Sequence, residues 1–218
     1  MPISLRQPVV IMLACWLSTV AAADVTALPR TSDGIRVDGK LTEAAWNDAA
    51  RIDINVEYDP GENLVAPVAT RAFLIEDGKN LYVAFEAFDP DPAAIRAFLR
   101  DRDSAWGDDH VGSMLDTYND ERRAFEFYAN ALGVQMDKIL DDTQGGPEWD
   151  FDASWDAIWD SAGRITDEGY VVEMRIPLSQ LRFPDVEGVK TGGYSLRRIY
   201  PRQRTHRLSN DTRDRNRN

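Results

Sequence analysis

The sequence has little cysteine and little histidine, and both shortages limit the kinds of catalytic and metal-binding site that the chain can form. Cys15 is the one cysteine in 218 residues, and it falls in an N-terminal apolar segment. We expect that segment to be removed, which leaves no disulfide, thiolate metal ligand or cysteine nucleophile. The two histidines, His110 and His206, are far apart, and the chain has neither a Gly-x-Ser-x-Gly nor a His-Glu-x-x-His motif. These residue types do not argue for a hydrolase.

The first 23 residues are typical of a secretory signal peptide. Arg6 supplies a positive charge, residues 9–20 form an apolar run, and residues 21–23 are small alanines of the kind a signal peptidase recognises. The run is shorter than the roughly 20 apolar residues that a membrane-spanning helix needs. The pattern predicts an exported protein whose mature chain starts at Asp24. The alternative is a lipoprotein signal that ends at Cys15.

Charge is distributed unevenly along the chain. Residues 24–187 carry 35 acidic and 15 basic side chains, whereas residues 188–218 carry nine basic and two acidic ones. The acidic part argues against a nucleic-acid partner, because phosphate binding needs a basic face. Taken alone, the arginine-rich C-terminal segment is compatible with an arm that binds nucleic acid. In an exported chain we expect it to be a surface strand followed by a frayed end.

Short β-type runs between Gly, Pro, Asn and Asp residues recur along the chain, and no long segment has a helical period. This pattern predicts one all-β domain over residues 24–218, an antiparallel β-sandwich of the immunoglobulin or jelly-roll type. The predicted strands are 68–75, 81–88, 111–118, 123–130, 134–140, 154–160, 170–176 and 194–200. Short helical turns are predicted within 92–99 and 178–181.

Acidic side chains cluster in the loops of the central region. Carboxylates that converge repel one another unless a cation lies between them, and Ca²⁺ takes six to eight oxygen ligands from such flexible loops. The predicted calcium ligands are Asp89, Asp91, Asp108, Asp109 and Asp116. The alternative is that these side chains are solvated. If calcium binds the folded state, it should raise the melting temperature. Glycoside hydrolysis needs two carboxylates at a defined separation, and no pair stands out.

Three tryptophans are the candidate sugar-binding residues. Trp106 lies in the polar loop 103–109, where an indole either folds under the loop or stays exposed to stack on a ligand. Trp155 and Trp159 are four residues apart, so on a strand they would share one face. That face is either part of the core or an aromatic platform. The predicted carbohydrate-binding residues are therefore Trp106, Trp155 and Trp159.

Four motifs, in order, resemble those of family 9 carbohydrate-binding modules. They are I-R-V-D-G-K-L-T-E-A-A-W at 35–46, L-Y-V-A-F at 81–85, W-G-D-D-H-V at 106–111, and G-Y-V-V-E-M-R-I-P at 169–177. The resemblance spans residues 34–200 and implies a β-sandwich with structural Ca²⁺ and a sugar site of stacked tryptophans. Trp106 stands where the family places one ring. Two departures are Gly112, where a family member can carry Glu, and the lack of any tryptophan after Trp159.

Two further strings, L-R-F-P at 181–184 and R-R-I-Y-P-R at 197–202, resemble the N-terminal domain of large exported bacterial proteins with a predicted C-terminal outer-membrane barrel. That resemblance implies a truncated C-terminal end, a barrel as partner, and a location in the periplasm or at the outer membrane or cell surface.

The resemblance as a whole implies a non-catalytic, exported module that binds oligo- or polysaccharides in carbohydrate catabolism. One alternative is an accessory periplasmic domain without sugar affinity. Another is a haem-binding sandwich, with His110 or His206 and Met114 or Met136 as axial ligands.

Overall fold

The computed structural model describes residues 27–141, 150–185, 187–188 and 190–211. The predicted signal peptide at 1–23 lies outside them and stays a prediction. The strands are β1 Ala50–Asp53, β2 Val56–Asp59, β3 Leu64–Val65, β4 Thr70–Glu76, β5 Asn80–Phe88, β6 His110–Asp116, β7 Arg123–Asn130, β8 Gln135–Asp141, β9 Asp150–Asp152, β10 Asp160–Thr166, β11 Gly169–Pro177, β12 Gly193–Pro201 and β13 Thr205–Ser209. Short 3-10 turns occur at Ala44–Asn47, Pro92–Ala94 and Leu178–Gln180. Among the described residues we find no helical segment that could span a lipid bilayer.

The strands form two antiparallel sheets that pack as a sandwich. One sheet has the order β1-β4-β5-β11-β10, and the other has the order β3-β2-β13-β12-β6-β7-β8-β9. Because side chains alternate across a strand, each sheet sends every second residue into the space between them. The side chains buried there include Val83, Phe85, Val111, Phe127, Val172, Met174 and Leu196. The predicted antiparallel β-sandwich is confirmed.

Seven of the eight predicted strands are present, with ends that differ by no more than two residues. The prediction for 154–160 is wrong, because residues 155–159 pair with no strand and β10 begins at Asp160. Side chains, not a neighbouring strand, bind the backbone of this segment. The Ala157 amide donates to the Asp137 carboxylate (2.7 Å) and the Ile158 amide to the Gln180 side chain (3.0 Å).

The N-terminal segment is held to the five-stranded sheet by Glu173 of β11. The Glu173 Oε2 atom accepts hydrogen bonds from the backbone amides of Asp38, Gly39 and Lys40 at 2.9, 2.7 and 3.1 Å. Its Oε1 atom accepts one from the Trp46 indole at 3.2 Å. Gly39 has φ +79°, a conformation that favours glycine. The 35–46 and 169–177 motifs therefore meet at one buried carboxylate.

Candidate functional site

The outer face of the eight-stranded sheet carries an aromatic cluster around Trp106. Val111 and Phe127 point into the core, so His110 and Tyr128, one residue along each strand, point outward. The Trp106 ring packs edge-to-face against His110 (6.0 Å between centroids) and Tyr128 (5.5 Å), and the latter two rings lie 5.6 Å apart. Trp106 remains 38% exposed. We call Trp106, His110 and Tyr128 the Trp106 cluster.

Gly112 is the reason that Tyr128 can lie in this position. The two residues are paired across β6 and β7. A Cβ atom on Gly112 would overlap the Tyr128 ring and would lie 2.6 Å from the Phe127 carbonyl oxygen. The ring therefore covers the backbone of Gly112, and burial raises the pKa of the Tyr128 hydroxyl well above its usual range. The floor beside Trp106 is aromatic, not acidic.

Lys138 of β8 and Phe151 of β9 extend the cluster along the sheet. The Lys138 ammonium lies 5.1 Å from the Trp106 ring centroid and 3.6 Å from that of Phe151, which is 46% exposed. Across the strand pair, the buried Glu126 carboxylate lies 3.4 Å from the same ammonium. Exposed ring faces beside fixed polar groups can bind a small ligand that is apolar on one face and polar at its rim.

His110 is a neutral, buried part of this cluster. Burial, assisted by the charges of Lys138 and Arg207, lowers its pKa to about 4. The ring is therefore unprotonated near neutral pH, and its Nδ1 atom lies 2.8 Å from the Asp108 carbonyl oxygen, to which Nδ1–H donates. We infer that His110 braces Trp106 rather than supplying charge.

The structure places Trp155 and Trp159, two of the predicted sugar-binding residues, against the core of the sandwich. Trp159 is only 5% exposed and packs edge-to-face on Phe127 at 5.4 Å. Trp155 is half-buried against the same core, with its ring 5.3 Å from Phe125 and 5.7 Å from Phe127. Both rings thus fill the sandwich, which is the alternative that their spacing also allowed.

Two of the predicted calcium ligands, Asp89 and Asp109, share one arginine. Arg202 forms ion pairs with Asp89 and Asp109, the latter at 2.9 Å, and both carboxylates are fully buried. Arg198, also fully buried, has Nη2 3.8 Å from Asp89. Burial raises the pKa of Asp109, and the nearby guanidinium of Arg202 opposes that change. Arginine side chains thus supply, beside these carboxylates, the positive charge that was expected from Ca²⁺.

The other three predicted ligands lie elsewhere. Asp108 accepts hydrogen bonds from the Phe98 amide and the Asn130 side chain, both at 3.0 Å, and lies 3.6 Å from Arg100. Asp116 accepts bonds from backbone amides in the β6–β7 turn, and Asp91 is exposed. Within the described ranges no three of these five carboxylates converge on one point, so they do not form one calcium site as they are placed here. Calcium binding itself stays a prediction.

A different set of three acidic side chains converges within the described ranges. Carboxylate oxygens of Asp103, Asp137 and Asp156 lie within 4.8 Å of one another. Arg102 forms ion pairs with all three of them. A guanidinium therefore already supplies positive charge at this cluster.

The candidate haem ligands lie in positions that do not favour axial ligation. Met136 has no exposed surface and packs with Tyr128. His110 and Met114 are four residues apart on β6, or about 13 Å, which is too far for two ligands of one iron. The His206 Nδ1 atom lies 2.8 Å from Glu57. The haem hypothesis gains no support from this geometry.

The sandwich and its aromatic outer face define a binding domain. A family model described as "Carbohydrate family 9 binding domain-like" matches residues 37–194. The chain belongs to this family, whose members are non-catalytic binding modules. No curated protein matches the chain.

Solved structures share the fold at low sequence identity. A provisionally named carbohydrate-binding protein from Bacteroides uniformis ATCC 8492 aligns with a TM-score of 0.60 and 15% identity, over 84% of this chain and 87% of that one. A family 9 module from Caldicellulosiruptor kristjanssonii in complex with cellotriose aligns with a TM-score of 0.54 and 17% identity, over 83% and 81%. The same kind of module in complex with glucose gives 0.53 and 18%, over 83% of each chain.

Proposed function

We propose that this chain is an exported, non-catalytic carbohydrate-binding domain whose site is the outer face of the eight-stranded sheet at Trp106. The observation that carries the proposal is the partly exposed Trp106 indole, held edge-on by His110 and Tyr128. Family membership and the sugar complexes of two structural neighbours support it. A location in the periplasm or at the cell surface and a part in carbohydrate catabolism belong to the same proposal.

Binding at this site combines stacking with hydrogen bonds. The free face of Trp106 takes the apolar face of a sugar ring, and Phe151 offers a second exposed ring. The Lys138 ammonium donates hydrogen bonds to hydroxyl groups, and its contact with Glu126 fixes its position. Tyr128 supplies the apolar floor in the space that Gly112 leaves empty.

Titration calorimetry with a panel of neutral and acidic oligosaccharides tests the proposal. The wild-type domain should bind at least one member. Trp106→Ala should lower that affinity by about tenfold or more, which is about 1.4 kcal/mol. Tyr194→Ala is the control, because Tyr194 is 43% exposed on β12 and pairs with Leu115, at the opposite end of β6 from His110 and the Trp106 cluster. Binding that is equally tight in Trp106→Ala, or no binding of any saccharide by the wild type, would refute the proposal.

A further inference from the structure

The β12–β13 hairpin is strongly basic in an otherwise acidic chain. Residues 193–209 contain five arginines and no Asp or Glu. The hairpin lies inside the eight-stranded sheet, between β2 and β6, and so next to the strands that carry the Trp106 cluster. Three of the arginines are matched by carboxylates: Arg198 and Arg202 on the buried side, and Arg207 by Asp59 at 2.7 Å.

Arg197 differs from these three arginines. It pairs with Gly112 across β12 and β6, and Gly112 pairs with Tyr128, so Arg197 lies on the outer face in the same row as the cluster. Its guanidinium packs 4.8 Å from the Tyr58 ring centroid. Within the described ranges its guanidinium has a hydrogen bond with the Tyr58 side chain but no ion pair within 4.0 Å, and its buried Nε atom has no hydrogen-bond partner. Because Gly112 has no side chain, the cross-strand neighbour cannot neutralise this charge.

Other cations add to the positive charge at the cluster. The charges of Lys138 and Arg207, together with burial as the larger cause, lower the pKa of His110. Lys138 lies 3.4 Å from Glu126, whereas Arg197 has no carboxylate at that distance and is attracted by Asp211 only from further away. A guanidinium of this kind suits an anionic oxygen group, because its planar fork can donate two parallel hydrogen bonds.

We propose that the site binds an acidic oligosaccharide, whose carboxylate or sulfate group contacts Arg197 while a neighbouring sugar ring stacks on Trp106. This inference rests on the proposed function and names its ligand class. Lys138 lies three strands from Arg197, or about 14 Å, so a ligand that reaches both cations spans several sugar units. The ligand is therefore a chain and not a monosaccharide.

The test compares length-matched ligands by calorimetry at low and high salt: a cello-oligosaccharide, an oligogalacturonate and a sulfated cello-oligosaccharide. One of the acidic ligands should bind about tenfold tighter than the neutral one at low salt and should lose that advantage at high salt. The comparison of the two acidic ligands also identifies whether the preferred anion is a carboxylate or a sulfate. Polyglutamate, which has carboxylates but no sugar rings, should bind much more weakly.

Two variants isolate the charge of Arg197. Arg197→Met should abolish the preference for the acidic ligand while affinity for the neutral one is retained, and Arg197→Lys should keep most of the preference. Arg123→Met is the matched control, because Arg123 also packs on an aromatic ring (Tyr118, 4.5 Å) but at the other end of β7. It should change neither affinity.

Three outcomes overturn the inference. If the neutral ligand binds as tightly as the acidic ones, the ligand class is wrong but carbohydrate binding stands. If Arg197→Met and Arg123→Met weaken acidic-ligand binding equally, or polyglutamate binds as well as the saccharides, the effect is general charge attraction. If no saccharide binds, the proposed function fails together with the inference.

Discussion

A single residue, His110, makes the free energy of unfolding of the domain depend on pH. Its folded-state pKa of about 4 lies below the ordinary value of 6.5, so the unfolded chain takes up the proton first. The stability that His110 contributes is therefore complete above pH 6.5 and is lost as the pH falls towards 4. Between about pH 7 and pH 5 the wild type should lose about 2 kcal/mol more than His110→Asn. Urea unfolding at the two pH values measures this, and identical losses in both proteins would contradict it.

Glu173 is a second single side chain that contributes strongly to the free energy of unfolding. Three backbone amides and one indole N–H point at its carboxylate. In Glu173→Gln the amide nitrogen would face donors, so we expect a loss of about 2 kcal/mol in the free energy of unfolding. Glu86→Gln, which removes a half-exposed pair with Arg71 on the neighbouring strand, should cost less than about 1 kcal/mol. Equal losses in the two variants would show that the four donors do not depend on the carboxylate.

At the scale of the strand pair β6–β7, Gly112 determines how the outer face is filled. Gly112→Ala places a methyl group against the Tyr128 ring and the Phe127 carbonyl, and the backbone contact cannot be relieved by a side-chain rotation. We expect a loss of about 1–3 kcal/mol and a changed Trp106 fluorescence, because Tyr128 braces that indole. Gly107→Ala, with open space around its Cβ position, should stay within about 0.5 kcal/mol. If Gly112→Ala leaves the free energy of unfolding unchanged, Tyr128 must be able to repack freely.

Strands with clear alternation were predictable, and strands defined by their partners were not. β7 and β11 show their pattern locally, as buried residues alternate or run continuously between turn residues. β13 has one buried apolar side chain, Leu208, and is a strand because β12 and β2 lie on either side of it. β3 and β9 are two and three residues long. Such short segments have too few side chains to show a period.

At the scale of the whole molecule, Arg202 connects the two sheets. It follows β12 of one sheet and pairs with Asp89, which follows β5 of the other, and with Asp109. Arg202→Met should cost about 3–5 kcal/mol, because it removes the ion-pair partner of the buried Asp109 carboxylate and leaves Asp89 with the more distant Arg198. Arg207→Met removes an exposed pair with Asp59 and should cost less than about 1 kcal/mol. Chemical unfolding compares them, and similar costs would rule out Arg202 as the connection.

Calcium offers a competing account of the same buried acids. If arginine neutralises Asp89 and Asp109, a chelator should leave the melting temperature of the wild-type domain unchanged. If Ca²⁺ is a ligand of the folded state, the melting temperature should rise with added Ca²⁺ and fall with EDTA. A thermal scan under both conditions decides between the two accounts.

The site was predictable only in part, because its residues come from distant parts of the chain. Trp106 was visible as a tryptophan in a polar loop. Lys138, Phe151 and Arg197 were missed because the strand order β12-β6-β7-β8-β9 brings them to one face, and no local pattern shows that order. The arginine partners of the acids were missed for a similar reason, since the arginine that pairs with Asp89 lies 113 residues further along the chain.

The most direct measurement is the response of the tryptophan indole N–H resonances to a saccharide ligand in an NMR titration. We expect the Trp106 resonance to shift with ligand concentration. The resonances of Trp46 and Trp159, which are buried against other parts of the structure, should stay in place. A Trp106 resonance that does not move while the domain is saturated with saccharide would contradict the assignment of this face as the binding site.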